Sequence, residues 1–220
     1  MNIAIVGGGI VGLALGYKLS KVKGNKVHVY EKEKEVGFHQ SGRNSGVLHC
    51  GLAYKPGSLK AKLAVSGIKQ MVKYCVDYKI NHDVCGKIVV ASNEDEAKLL
   101  ENTAQRGNLN GLKGLKYLNN RELKDREPFV SSHKTLLVPE EGIVDYKGVM
   151  MSMKENIINS GGRVFLDTKI EKVEENKNFI YINNNSSISY KTIIYTTGLQ
   201  SDINFKKFTN NKLKAKIVPF

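Results

Sequence analysis

The residues best suited to chemistry stand near the start of the chain. Gly7-Gly8-Gly9-Ile10-Val11-Gly12 puts Gly7, Gly9 and Gly12 at G-x-G-x-x-G spacing, after the apolar run Ile3-Ala4-Ile5-Val6 and before a helical pattern. In that setting Gly7 permits a tight turn, Gly9 lets backbone approach a pyrophosphate, and Gly12 lets the helix press on a sheet. The helix N-terminus adds unpaired N–H groups and partial positive charge, so the chemistry expected is anchoring of a diphosphate. Glu31 follows Gly12 by 19 residues, at the end of the next β-rich run. A carboxylate there accepts hydrogen bonds from the ribose hydroxyls of an adenosine and repels a 2′-phosphate, which disfavours NADP.

Mononucleotide and dinucleotide folds share this start, so the cofactor is decided further on. An NAD enzyme would continue into more β-α units, whereas residues 39–51, His39-Gln40-Ser41-Gly42-Arg43-Asn44-Ser45-Gly46-Val47-Leu48-His49-Cys50-Gly51, are rich in glycine and polar groups. Small residues at Ser41, Gly42, Ser45, Gly46 and Gly51 allow backbone to run close along a cofactor. Arg43, Asn44 and Ser45 offer donors for phosphate oxygens. This is what a flavoenzyme needs of a loop that reaches from pyrophosphate to isoalloxazine. Lys32, beside Glu31, and Val173, in the strand-like run 169–175, complete the candidate cofactor set. No metal-ligand spacing is present.

The segment from Arg43 to Ala61, with Leu52-Ala53-Tyr54-Lys55-Pro56-Gly57-Ser58 at its centre, closely resembles the L-2-hydroxyglutarate oxidase/dehydrogenase family of D-amino-acid-oxidase-like flavoproteins. So do Cys85-Gly86-Lys87-Ile88-Val89-Val90-Ala91 and Gly142-Ile143-Val144-Asp145-Tyr146. Thr196-Thr197-Gly198-Leu199-Gln200-Ser201-Asp202 resembles the superfamily's second flavin motif, which brings Gly198 into the cofactor set. The resemblance implies FAD, and oxidation of the hydroxyl of L-2-hydroxyglutarate to 2-oxoglutarate. Another flavin oxidase of a 2-hydroxy acid, amino acid or glycerol-3-phosphate, or a nucleotide-binding fragment without catalysis, are the alternatives. Such a reaction needs a group that takes the alcohol proton and groups that hold two carboxylates. His49 is the candidate near the ring, as base or hydrogen-bond partner, or else as a loop histidine that packs on the flavin. Lys55 can attract a substrate carboxylate, or be a surface lysine. The resemblance also implies oxygen or a membrane quinone pool as electron acceptor. Family members continue past the phrase Lys216-Ile217-Val218-Pro219-Phe220 into further strands, so it implies that the chain is a front part and inactive alone.

These residues need elements to hold them. Residues 2–6 predict a buried strand, 10–22 a helix packed through Ile10, Leu13, Ala14, Tyr17 and Leu19, and 27–30 a second strand: a β-α-β unit. A long helix is predicted from Ser58 to Tyr78, with Leu59, Leu63, Met71, Val72 and Cys75 inward. A strand over 85–91, helices over 94–106 and 121–126, and a helix from Asp145 to Asn159 follow. Strand-like runs at 163–167, 169–175, 179–183 and 187–191, with hairpin loops at 176–178 and 183–187, precede a returning strand over 192–197. The fold class expected is α/β: a Rossmann-like, FAD-binding parallel sheet with a β-meander and an inserted, incomplete α+β substrate domain. Its expected segments are 1–78 and 146–205 for the FAD-binding domain, 79–145 for the substrate domain, and 206–220 for a return to it.

Composition narrows the class. Hydrophobic residues are 41% and charged residues 25% of 220, an ordinary globular balance. The net charge of +13 is spread over helices and loops without a dense Arg/Lys block, which argues against nucleic acid. It leaves attraction to anionic substrates or to a lipid surface. The start lacks a basic segment and a long apolar stretch, so the expected setting is cytoplasmic, or peripheral to the inner membrane. Cys50, Cys75 and Cys85 match no zinc or C-x-x-C pattern and suit reduced thiols.

Overall fold

The computed structural model describes residues 1–174, 179–182, 186–208 and 216–218. It divides into two units, Met1–Asn44 with Tyr146–Phe220, and Ser45–Asp145. The first unit begins with β1 (Asn2–Val6), α1 (Ile10–Ser20) and β2 (Lys26–Tyr30). All of β1 after Asn2 is buried, as its apolar run requires. The buried stripe of α1 is Gly12, Leu13, Gly16, Tyr17 and Ser20. Leu13 and Tyr17 face inward as expected, whereas Ile10, Ala14 and Leu19 are only half-buried. The reason is the row of small residues at i, i+4 and i+8, which lets the helix settle closer than leucines would. A Cβ at Gly16 would lie 2.8 Å from Ile157 Cδ1.

The second unit is α+β. It runs β3 (Val47–Leu48), α2 (Leu59–Asp77), β4 (His82–Asp83), β5 (Lys87–Ala91), α3 (Glu94–Leu109), β6 (Lys116–Leu118), α4 (Asn120–Arg126), β7 (Lys134–Val138) and β8 (Gly142–Val144). Two antiparallel three-stranded sheets form, ordered β3-β8-β4 and β5-β7-β6. The side chains of Ser58 and Asn93 cap α2 and α3, and Asn119 with Glu122 closes a full capping box on α4. The first domain boundary falls between Asn44 and Ser45 rather than after residue 78. Val47 pairs with Ile143, and Leu52 joins Leu100, Leu112 and Val138 in one apolar cluster, so residues 45–78 are bound to the insertion. In α2 the inward residues are Ala61, Tyr74 and Cys75, while Leu59 and Leu63 are 71% and 61% exposed. Gly51 approaches this helix so closely that a Cβ there would lie 3.3 Å from Ala64 Cβ, and alanines fit that contact where leucines do not.

The chain returns to the first unit through α5 (Tyr146–Asn159), β9 (Arg163–Phe165), the antiparallel meander β10 (Ile170–Glu174), β11 (Phe179–Ile182) and β12 (Ser186–Ser189), then β13 (Thr192–Tyr195) and α6 (Ser201–Phe208). β13, β1, β2 and β9 form a parallel sheet in that order. Val173, Ile180 and Tyr190 share a core with Ala4, Val6 and Tyr30 of that sheet. Residues 206–208 complete α6, and the Ile217 N–H donates to Asp202 Oδ2 at 3.1 Å, so these belong to the first unit rather than to a return to the insertion. The expected loop at 176–178 and most of that at 183–187, with residues 209–215 and 219–220, lie outside the described residues.

Candidate functional site

Strand register brings the sequence motifs to one edge. Val6 of β1 is level with Tyr30 of β2 and Tyr195 of β13, so three parallel strands end together. The next residues, Gly7, Glu31 and Thr196, therefore line the carboxyl edge at β1, where the chain places β2 on one side and the later β13 on the other and open α/β sheets bind ligands. Gly7 has φ +113°, and a Cβ on it would sit 2.4 Å from Thr196 O. Thr196 Oγ1 is 3.1 Å from Val6 O and 3.0 Å from Gly7 O, tying the last strand to the first turn. A Cβ at Gly12 would lie 2.1 Å from Gly7 O. Only glycine fits there.

Glu31 is 7% exposed and turns into the glycine loop. Its Oε2 accepts the Gly8 N–H at 2.7 Å and its Oε1 the Glu33 N–H at 3.0 Å. Each oxygen keeps a lone pair for a further donor. Ser41 Oγ accepts the Ile10 N–H at 3.0 Å, capping α1 from a distant loop. A Cβ on Gly9 would meet that hydroxyl at 3.0 Å. Glycine-lined backbone, a helix N-terminus and a buried carboxylate fit an adenosine diphosphate group.

The other expected residues have more varied places. Lys32 Nζ pairs with Glu33, and lies 3.0 Å from His39 Nε2; the Lys32 and His39 contacts hold Glu33 below the usual carboxylate range. Arg43 Nε donates to Phe38 O at 2.8 Å, with its guanidinium over the Phe38 ring. Asn44 Nδ2 donates to Gln40 O and Ser41 O, so both residues staple their own loop. Ser45 is exposed, across the unit boundary. The Val173 side chain is buried in the core, which leaves only its backbone to meet a ligand. Gly198, at φ +56°, opens a short 3-10 turn beyond β13, and a Cβ there would meet nothing within 4 Å.

The second unit holds a cluster that the sequence did not single out. Glu141 is 1% exposed between β7 and β8. Its Oε2 pairs with Lys87 Nζ. Its Oε1 accepts from the Cys50 N–H and thiol, each at 3.4 Å, and lies 3.6 Å from His49 Nδ1. Burial pushes the Glu141 carboxyl up, but Lys87 and Cys50 outweigh it and hold the group below its ordinary value. Burial and the adjacent Glu141 push the Cys50 thiol up to about 12, which makes it a poor nucleophile. The side chain of His49 stays 60% exposed. Lys55 is exposed, and Lys60 Nζ sits 4.4 Å over the Tyr54 ring. Glu141 was legible only as one of two acids after Pro139; nothing in its spacing announces burial.

Comparison with known proteins decides the family. The family described as FAD dependent oxidoreductase matches residues 2–220. The chain belongs to it. Relatives include L-2-hydroxyglutarate dehydrogenase of Indibacter alkaliphilus, 43% identical over 221 residues, covering all of this chain and 55% of that protein. The mitochondrial L-2-hydroxyglutarate dehydrogenase of Dictyostelium discoideum is 43% identical over 241 residues, covering 100% of this chain and 53% of its own. The chain thus spans about half the length of these relatives. Among solved structures, L-alpha-glycerophosphate oxidase from Mycoplasma pneumoniae with FAD bound superposes with TM-score 0.82 at 24% identity, covering 94% of this chain and 56% of that one. Glycine oxidase from Geobacillus kaustophilus gives TM-score 0.84 at 19% identity, covering 93% and 57%. Both share the expected α/β, Rossmann-like fold. No helix of the described residues is long and apolar enough to cross a membrane.

Proposed function

We propose that this chain carries the adenosine-diphosphate half of an FAD site and part of the substrate side of an enzyme that oxidises L-2-hydroxyglutarate to 2-oxoglutarate. The observation that carries the reading is 43% identity over the whole chain to a dehydrogenase of that substrate, together with the carboxyl edge built from Gly7, Glu31 and Thr196. Gly7, Gly9 and Gly12 would hold the pyrophosphate against the start of α1, and Glu31 the ribose hydroxyls, with Ser41 shaping the loop. Lys32, Arg43, Asn44, Ser45, the Val173 backbone and Gly198 are assigned to the same cofactor. FAD, when bound, supplies the two-electron acceptor for the alcohol carbon.

The chain's own contribution to the chemistry is proton handling and charge. His49 takes the proton of the 2-hydroxyl, from a side chain that stays 60% exposed. Lys55 draws in a carboxylate of the dianionic substrate, aided by the net charge of +13. A cavity of about 600 Å³ in the second unit is lined by aliphatic Val65, Ile68, Val72, Val84 and Leu112 and also by Lys69, Lys73 and Lys113. The electron acceptor in this reading is oxygen or a membrane quinone pool, in a cytoplasmic setting peripheral to the inner membrane. The positive charge supports contact with an anionic lipid surface.

A chimera tests the reading. Residues 2–220 replace the matching half of the Indibacter alkaliphilus relative, and the product is assayed with L-2-hydroxyglutarate and an artificial electron acceptor. A chimera with flavin absorbance and turnover of this substrate, lost in the His49→Ala version, is the expected result. A flavin-loaded chimera that ignores L-2-hydroxyglutarate but oxidises glycerol-3-phosphate or an amino acid would overturn the substrate assignment.

A further inference from the structure

Glu141 and His49 are brought together by register, not by chance proximity of loops. β3 and β8 are antiparallel, with Val47 opposite Ile143 and Leu48 opposite Gly142. One step further along this register puts His49 beside Glu141. The backbone holds Glu141 from both sides: the Gly86 N–H donates to Glu141 O at 2.9 Å, and Glu141 N–H reaches Val138 O at 3.4 Å. Gly142 cannot be replaced without collision, since a Cβ there would lie 2.2 Å from Asp83 O. The carboxylate is therefore fixed in place, out of water, in a strand pair only a few residues long.

A buried carboxylate is tolerated only where cations and donors face it. Lys87 supplies the cation on Oε2. That leaves Oε1 for the Cys50 thiol and amide and for His49. The His49 ring has Nδ1 on this oxygen at 3.6 Å and, among the described residues, no other partner. With Nδ1 turned to the carboxylate, Nε2 is the ring nitrogen left for another partner. At 3.6 Å the contact is longer than a hydrogen bond, a separation that catalytic dyads commonly show before substrate arrives.

We infer that Glu141 is a positioning residue for His49: it draws the imidazole proton to Nδ1, leaving Nε2 as the acceptor that faces the substrate hydroxyl. This rests on the assignment of His49 as base in the proposed function. The physical logic is that of any carboxylate–histidine pair. A neutral imidazole with its proton on Nδ1 presents a lone pair at Nε2, and once Nε2 takes a proton, the fixed negative charge stabilises the imidazolium. Cys50 plays no nucleophilic part; its amide and thiol help hold the carboxylate that orients its neighbour.

The test reads the tautomer directly, in the 220-residue chain, without turnover. With ¹⁵N-labelled histidine, long-range proton–nitrogen correlation spectra assign the protonated ring nitrogen of neutral His49, using His49→Gln to identify its signals. The wild type is expected to carry the proton on Nδ1, and E141Q to move towards the Nε2–H form that free histidine prefers. K87M removes the cation but not the carboxylate, so it is expected to keep the Nδ1–H form; a role for Glu141 as partner of Lys87 alone would leave His49 alike in all three proteins. A wild-type His49 mainly in the Nε2–H form would overturn the inference, whether or not the variants fold. The functional reading fails separately: an Nδ1–H His49 in a chimera inactive on L-2-hydroxyglutarate sinks the substrate and leaves the dyad. An active chimera with an Nε2–H His49 does the reverse.

Discussion

The carboxyl edge of the parallel sheet and the Glu141 cluster both gather residues distant in sequence, but by different means. At the edge, Gly7 and Gly12 meet through backbone, with the Thr196 hydroxyl bonded to the Gly7 carbonyl, and at the glycines a side chain matters by its absence: a Cβ at Gly12 would lie 2.1 Å from Gly7 O. In the cluster, His49, Cys50, Lys87 and Glu141 meet through side chains on one buried carboxylate. Backbone sites announce themselves as fixed spacings of glycine. Side-chain sites built on two-residue strands do not, because no local pattern reveals which acid will be buried.

The comparison is broken most severely at Gly12. Gly12→Val forces a branched side chain into the Gly7 carbonyl and is expected to cost upwards of ~3 kcal/mol, with loss of FAD binding, measured by urea unfolding and flavin fluorescence. A Gly12→Val protein of unchanged midpoint would show that the loop is looser than its contacts imply.

Next in size is Lys87→Met, which strips the cation from a buried acid. About 2 kcal/mol is expected, below the ~3–5 of a fully buried pair because Lys87 is 36% exposed. The sign with pH follows from the direction of the shift. Glu141 is held below its ordinary 4.5 in the folded protein, so its stabilising contribution is present above that value and fades as pH falls through the lowered one. Without Lys87 the acid unfolding limb moves to higher pH. Denaturation curves from pH 3 to 7 decide the matter, and a coincident limb in both proteins would count against an ionised Glu141.

Glu31→Gln should leave the fold standing, since the amide oxygen can still accept from Gly8. It is expected to weaken adenosine-diphosphate affinity by about 10-fold, the worth of one charge-assisted hydrogen bond, read by calorimetry. An unchanged affinity would remove Glu31 from the cofactor set.

The smallest effect belongs to the thiols. Cys85 is exposed while Cys50 and Cys75 are buried with thiols pushed up, chiefly by burial. Alkylation at pH 8 should add one group, at Cys85, and leave the unfolding midpoint unchanged, as mass spectrometry of the labelled protein would report.

The same contrast explains what the sequence revealed. The β-α-β start, Glu31 at the end of the second strand and the return of β13 were readable because period and glycine spacing reflect backbone geometry. The face of α2 was not: Leu59 and Leu63 are apolar yet exposed, while Ala61, Tyr74 and Cys75 take the packed side. The boundary after residue 78 was misplaced because β3 is two residues long and gives no alternation to read, yet its pairing with β8 binds residues 45–78 to the insertion. Glu141 escaped for the same reason, being placed by pairing rather than by its neighbours in sequence.

The bond from Thr196 to Gly7 has a consequence for the chain as it is made. Its two ends lie 189 residues apart, so the glycine loop leaves the ribosome early and waits for its last partner until β13 has followed. The unit Ser45–Asp145, continuous in sequence, has no such wait and can settle while the rest is still being translated. Order of synthesis and order of completion are thus inverted: the segment made first is the last to be finished, and until then its apolar strand Ile3–Val6 stands without one of its two neighbours.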